Sequence, residues 1–194
     1  MSEPTTVLTD YALAAVSGFL GLRLFPYSRC WSVAFLALAL GALLGGTWHG
    51  FLQNDLLWKS TTLSVGVASF GMVAGSAAAV TTGGLRGTLI AFAVVKLIAY
   101  AAWMLYHDDF IWVVADTASA LLIVAILHAW RFSGWMLAGV AVSVLAGLAQ
   151  ASGLALHAHF NHNDLYHVLQ TAAMFLFYRG VRYQKNASAR ASML

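Results

Sequence analysis

The sequence predicts an all-α integral membrane protein of seven transmembrane helices, N-terminus outside and C-terminus cytoplasmic. Three observations predict it. Of 194 residues, 61% are hydrophobic and 9% are charged, where an ordinary soluble domain carries roughly 25% charged residues. Charges, Asn, Gly and Pro cluster so as to leave seven apolar segments, each near the ~20 residues that cross a hydrocarbon core. Lys and Arg fall on alternate connections. Disorder is excluded, because it needs low hydrophobicity and high net charge. The single cysteine, Cys30, excludes an internal disulfide and a Cys-based zinc site.

The segments are, in order, 8–25, 31–51, 56–80, 86–106, 110–130, 135–156 and 163–180. The second, third and sixth sit inside stretches without Asp, Glu, Lys or Arg (30–54, 60–85 and 132–163). The fourth carries Lys96 and the fifth Asp116, which lowers their hydropathy. Gly41 and Gly45 on the second, and Gly71 and Gly75 on the third, form small-xxx-small faces that let helices approach closely. Residues 1–180 form one membrane domain and 181–194 a basic cytoplasmic tail. The stretch 1–10 has no basic residue, so it is not expected to be a cleaved signal peptide. Aromatics near segment ends, such as Trp31, Trp58 and Trp130, read as an interfacial belt.

Orientation follows from the bases. Arg23, Arg29, Arg86, Arg131, Arg179, Arg182, Lys185 and Arg190 lie on one side and Lys59 on the other, which places the first side in the cytoplasm. A plasma or inner membrane is the expected location. Six of the seven histidines, and every acid but Asp116, then belong to the outer layer. His128 is the exception among histidines, at the inner end of the fifth segment, where an interfacial position is expected.

Base sorting does not require histidines to gather; a shared polar site does. His49 lies near the end of the second segment and His167 about four residues into the seventh, both roughly 3–8 Å from the outer interface at 1.5 Å per residue. They converge if these two helices are neighbours. In 161–167, Asn163 and Asp164 share a face with His167, whereas His162 diverges from it by about 140° on 100° per residue. Asn161 as N-cap with Asp164 three residues on reads as a capping arrangement. Imidazoles at matched depth suit zinc or another divalent transition metal, with His49, His162 and His167 as candidate ligands. Asp164, Asp10 or Asp116 is placed to orient a histidine or take a proton from water. Asp116 has a second reading, a charge pair with Lys96 on the adjacent helix. His157 and His159 fall in the outer loop before the seventh segment. No phosphate loop, dinucleotide fingerprint or nucleophile elbow is present, and nothing points to nucleic acid.

Two short stretches, Gly46-Thr47-Trp48-His49-Gly50 and His162-Asn163-Asp164-Leu165-Tyr166-His167, resemble the CREST superfamily of seven-helix membrane proteins. That superfamily includes alkaline ceramidases, progestin/adiponectin receptors, haemolysin-III-like proteins and Per1-like lipid-remodelling factors. The resemblance implies a zinc histidine at His49 and another at His167, with His162 or Asn163 as third ligand. Where the family has a serine four residues before the second-helix histidine, this chain has Gly45; the third segment holds no counterpart of the family aspartate. The implied activity is metal-dependent hydrolysis of a lipid amide or ester. A non-enzymatic receptor, or a metal- or proton-binding membrane protein using the same residues, is the alternative. Membrane lipids are the expected partners in either case.

Overall fold

The computed structural model describes residues 3–131, 133–157 and 159–191, the side chains of 186–191 excepted. Among these residues the chain forms seven helices: α1 (Pro4–Leu24), α2 (Arg29–Gly50), α3 (Asp55–Val80), α4 (Gly83–Met104), α5 (Phe110–Trp130), α6 (Gly134–Ala151) and α7 (His162–Ala191). Their starts follow local chemistry. Pro4 opens α1, where its missing N–H costs nothing. Ser28 Oγ accepts from Trp31 N at the start of α2, and Asn54 Oδ1 accepts from Leu57 N at the start of α3. Six helices, α1 to α6, are long and apolar enough to cross a membrane. α7 is interrupted by polar residues at both ends, which lowers its apolar content.

Two boundaries differ from the sequence expectation. α6 stops at Ala151, short of 156, because Gly153 takes a left-handed conformation (φ +66°) that ends the helix. α7 does not stop near Gly180 but runs to Ala191, since nothing after Gly180 breaks a helix; the expected tail is therefore helical as far as it is described. Residues 192–194 and the Arg190 side chain lie outside the described residues.

α1, α2, α3, α5, α6 and α7 pack in a closed ring in that order, α7 returning to α1, while α4 leans on α3 from outside. α1 thus stands between α2 and α7. The core joins opposite sides of the ring: Leu13, Leu20, Trp31, Phe35, Val124, Met136 and Phe177 are buried together, and the Trp31 and Phe177 rings meet at 5.4 Å. The α3 glycines act as expected. A Cβ on Gly71 would lie 2.7 Å from the Cys30 carbonyl oxygen, so α2 and α3 touch backbone to backbone there. At the α3 C-terminus, Arg86 Nε donates to the Thr81 carbonyl at 2.9 Å and Arg131 Nη2 to that of Val80 at 3.0 Å. Both satisfy carbonyls the helix leaves open.

Candidate functional site

The site lies where the start of α1, the end of α2 and the start of α7 meet. α1 approaches α2 across Gly46, whose added Cβ would sit 2.9 Å from the Asp10 Cβ. Any side chain at that position would push the two helices apart. One stripe of α1, Thr6, Asp10, Leu13, Ser17, Leu20 and Leu24, is buried, and its spacing of three and four residues is that of one helical face. Asp10, 3% exposed, is carried inward on this face.

His167 is at the centre. Its Nε2 lies 3.1 Å from Asp10 Oδ1 and its Nδ1 3.0 Å from Thr9 Oγ1. Thr9 Oγ1 is also 3.4 Å from Asp164 Oδ1. Asp10, His167, Thr9 and Asp164 form one hydrogen-bonded chain. An ionised Asp10 would accept from a protonated Nε2, and a protonated Asp10 would donate to a bare one; the Thr9 hydroxyl can donate to Nδ1, or accept from it and donate to Asp164. Asp164 has a further task. Asn161 Oδ1 accepts from Asn163 N at 2.8 Å and Asp164 N at 3.2 Å, while Asn161 N donates to Asp164 Oδ2 at 2.8 Å. This is the reciprocal cap expected from the sequence, with Asp in place of Glu.

His49 joins from α2. Its Nδ1 lies 3.4 Å from Glu3 Oε2, and it is within electrostatic range of Asp164 and of His167. Glu3 and Asp164 act in the same way on Asp10. Trp48 packs edge-on against His49 at 5.2 Å and continues into Trp58 and Phe110, an aromatic ledge beside the cluster. Lys59, behind that ledge, is bound to Asp108 at 2.5 Å and to the Met104 carbonyl at 2.7 Å. Among the described residues no Lys or Arg pairs with Glu3, Asp10 or Asp164.

Of the residues expected from sequence, His49, His167 and Asp164 come together, although α1 lies between α2 and α7 and supplies the bridging groups. His162 does not join them. It is the first residue of α7, five before His167, and the helix turns it away. Asp116 does not join them either: it pairs with Lys96, whose Nζ also bonds the Asp116 carbonyl at 2.9 Å. The charge pair between α4 and α5 is the reading that the geometry carries. His128, in the last turn of α5, is fully buried within the bundle, with Nε2 3.1 Å from Ser76 Oγ and Nδ1 accepting from Gln184 Nε2 at 2.9 Å. His157 and His159 lie in the connection before α7, where His157 bridges to Phe160.

The donor set matches a divalent transition metal: two imidazoles and three carboxylates, without thiolate. Asp10 Oδ2 is buried with no hydrogen-bond partner among the described residues. A Cβ at Gly45 would stand 3.9 Å from both Asp10 oxygens, so the space beside the carboxylate is left open by the missing side chain. In donor chemistry the residues suit such an ion. No group of three His, Cys, Asp or Glu side chains among the described residues is placed to hold one as it stands, so binding would require side-chain rotation. Sequence reasoning placed Asp10 in a secondary role and did not single out Glu3 or Thr9. The available signal was the polar stripe of α1 at helical spacing.

No curated protein and no solved structure matches the chain. A family model matches residues 5–186, which take in all of the cluster except Glu3. The chain belongs to the family described as "Family of unknown function (DUF6962)".

Proposed function

We propose that this chain is a seven-span membrane protein, N-terminus outside, whose α1–α2–α7 cluster binds a divalent transition metal such as zinc and hydrolyses an amide or ester of a membrane lipid. One observation carries the reading: buried Asp10 and Asp164, with Glu3 close by, are accompanied by imidazoles and, among the described residues, pair with no Lys or Arg. Buried carboxylates are costly unless neutralised. Apart from a proton taken up by the carboxylates or the imidazoles, a bound cation would neutralise them.

Asp10, through its open Oδ2, together with His49 and His167 would hold the metal. Asp10 stands where the resemblance to ceramidase-like proteins leaves a gap, facing Gly45. When bound, such a metal polarises a carbonyl and supplies hydroxide near neutral pH. Asp164, acting through Thr9, orients His167 in the manner of an outer-shell carboxylate. To hold a metal, His167 would offer its nitrogen without a proton, and Thr9 or Asp10 would give up its bond there. Trp48 and Trp58 offer an apolar ledge for the chains of a lipid whose polar linkage sits at the interface.

Metal analysis of gently purified protein tests this. About one zinc or similar ion per chain is expected, lost in His49→Ala and His167→Ala, with lipid amide or ester turnover lost in parallel. Metal-free wild type, with turnover unchanged in both variants, overturns it. A second reading is favoured by the closed Asp10–His167–Thr9–Asp164 chain, which is satisfied without metal: a non-enzymatic proton- or metal-binding protein. Stoichiometric cation uptake with no lipid turnover selects that reading.

A further inference from the structure

The end of the bundle opposite the acid cluster carries a cleft of about 620 Å³ between the start of α6 and the outward face of α7. Its walls include Trp135 on α6 and Phe175, Tyr178, Arg179, Arg182 and Tyr183 on α7. The α7 residues recur at three- and four-residue spacing and form one stripe. Phe177 and Gly180 pack that helix tightly on Gly139 and Met136 of α6, which fixes the stripe beside Trp135.

The two arginines are held by rings. The Arg179 guanidinium lies 4.8 Å over Trp135. Arg182 lies 5.2 Å over Tyr27, from the α1–α2 connection, and 5.4 Å over Tyr178, donating from Nη1 to the Tyr178 hydroxyl at 3.2 Å. Ring faces orient a guanidinium without neutralising it. Arg182 Nε is sheltered and has no hydrogen-bond partner among the described residues. Among the described residues no carboxylate side chain serves as counter-ion here: Asp116 is taken by Lys96, and the other acidic side chains belong to the end where α1, α3, α5 and α7 begin. A planar donor fork without a carboxylate suits a phosphate. Phe175 and Leu176, further along the same wall, continue the cleft as an apolar track towards the middle of the helix.

We propose that this cleft is a binding site for an anionic phospholipid, with the phosphate on Arg179 and Arg182 and an acyl chain along Phe175 and Leu176. It makes no use of the acid cluster and stands independently of the hydrolytic reading.

The test measures phospholipid retained by the full chain after extraction from vesicles of mixed phosphatidylglycerol and phosphatidylcholine. Wild type should retain phosphatidylglycerol preferentially. Arg179→Gln with Arg182→Gln should cut that preference about tenfold, two interfacial cations being removed. Arg23→Gln with Arg29→Gln removes the same charge from the same end outside the cleft and should change it less than about twofold. Excess inorganic phosphate should leave the retained lipid in place. Equal loss in both double variants would mean a diffuse basic field and overturn the proposal. Displacement by inorganic phosphate would mean a small-anion site and overturn it too. Two readings need no variant to fold: the wild-type preference and its resistance to phosphate. Absence of either overturns the proposal.

Discussion

Asp10 and Asp116 are both buried aspartates, 3% and 8% exposed, and they look alike at first. Each has Oδ1 engaged and Oδ2 without a hydrogen-bond partner among the described residues. They differ in what neutralises them. Asp116 meets Lys96, which also bonds its backbone carbonyl. Asp10 meets His167, a cation only when it takes a second proton, and shares its surroundings with Glu3 and Asp164. One carboxylate has an amine beside it, and under the metal-binding proposal the other would take an added cation. Burial alone therefore does not tell the two carboxylates apart; the partner does.

The comparison breaks or holds first on stability. Lys96→Met strands Asp116, and removing one partner of a buried pair costs about 3–5 kcal/mol. Asp10→Asn takes away a carboxylate with no permanent counter-charge and should leave the metal-free protein as stable as wild type, or more so. Thermal unfolding in detergent reads both. Equal destabilisation would mean that His167 already serves Asp10 as a full ionic partner.

Metal affinity sharpens it next. Asp10→Asn keeps the shape but removes the anionic donor, and zinc affinity should fall about 100-fold, or roughly 2.7 kcal/mol. Asp116→Asn should leave affinity per folded chain unchanged. Zinc titration of the two variants measures this, and equal affinities would remove Asp10 from the metal site.

The two fully hydrogen-bonded histidines give a smaller contrast. His128 sits between Ser76 and Gln184, which are neutral, and the Gln184 amide donating to Nδ1 leaves no room for a second proton there. Its Ala variant should lose about 2 kcal/mol through unsatisfied buried partners and retain metal binding. His167→Ala should cost a comparable amount, since Asp10 and Thr9 lose their partner, and should lose metal binding as well. Loss of metal from His128→Ala would join the two ends of the bundle in one functional unit.

Much of this was legible in the chain. Charge-free stretches marked helices; the Asn161–Asp164 spacing gave the cap, and the isolated Lys96 and Asp116 announced each other. His49 and His167 were found because imidazoles at matched depth have few structural reasons to coincide. The rest was hidden for a physical reason. Which helix stands between two others is a packing outcome, and α1 enters because Gly46 lets it approach closely. With α1 in that place, Asp10, Thr9 and Glu3 become bridging groups. Similarly, nothing local in 125–131 turns His128 inward; partners on α3 and α7 do.

Asp164 supplies the finest test, because it caps a helix and also reaches His167 through Thr9. Asn161→Ala removes the cap side chain from the Asn163 and Asp164 amides and should cost about 1 kcal/mol of stability. It leaves the Thr9 contact available, so zinc affinity should change little. Asp164→Asn keeps the size of the side chain while removing the charge behind Thr9, and affinity should fall about tenfold as for other outer-shell carboxylates. If both variants lower stability alike and neither alters affinity, Asp164 is a cap and nothing more. His167 is then oriented by Asp10 and Thr9 without help from Asp164, and the site shrinks to the contact between α1 and α7.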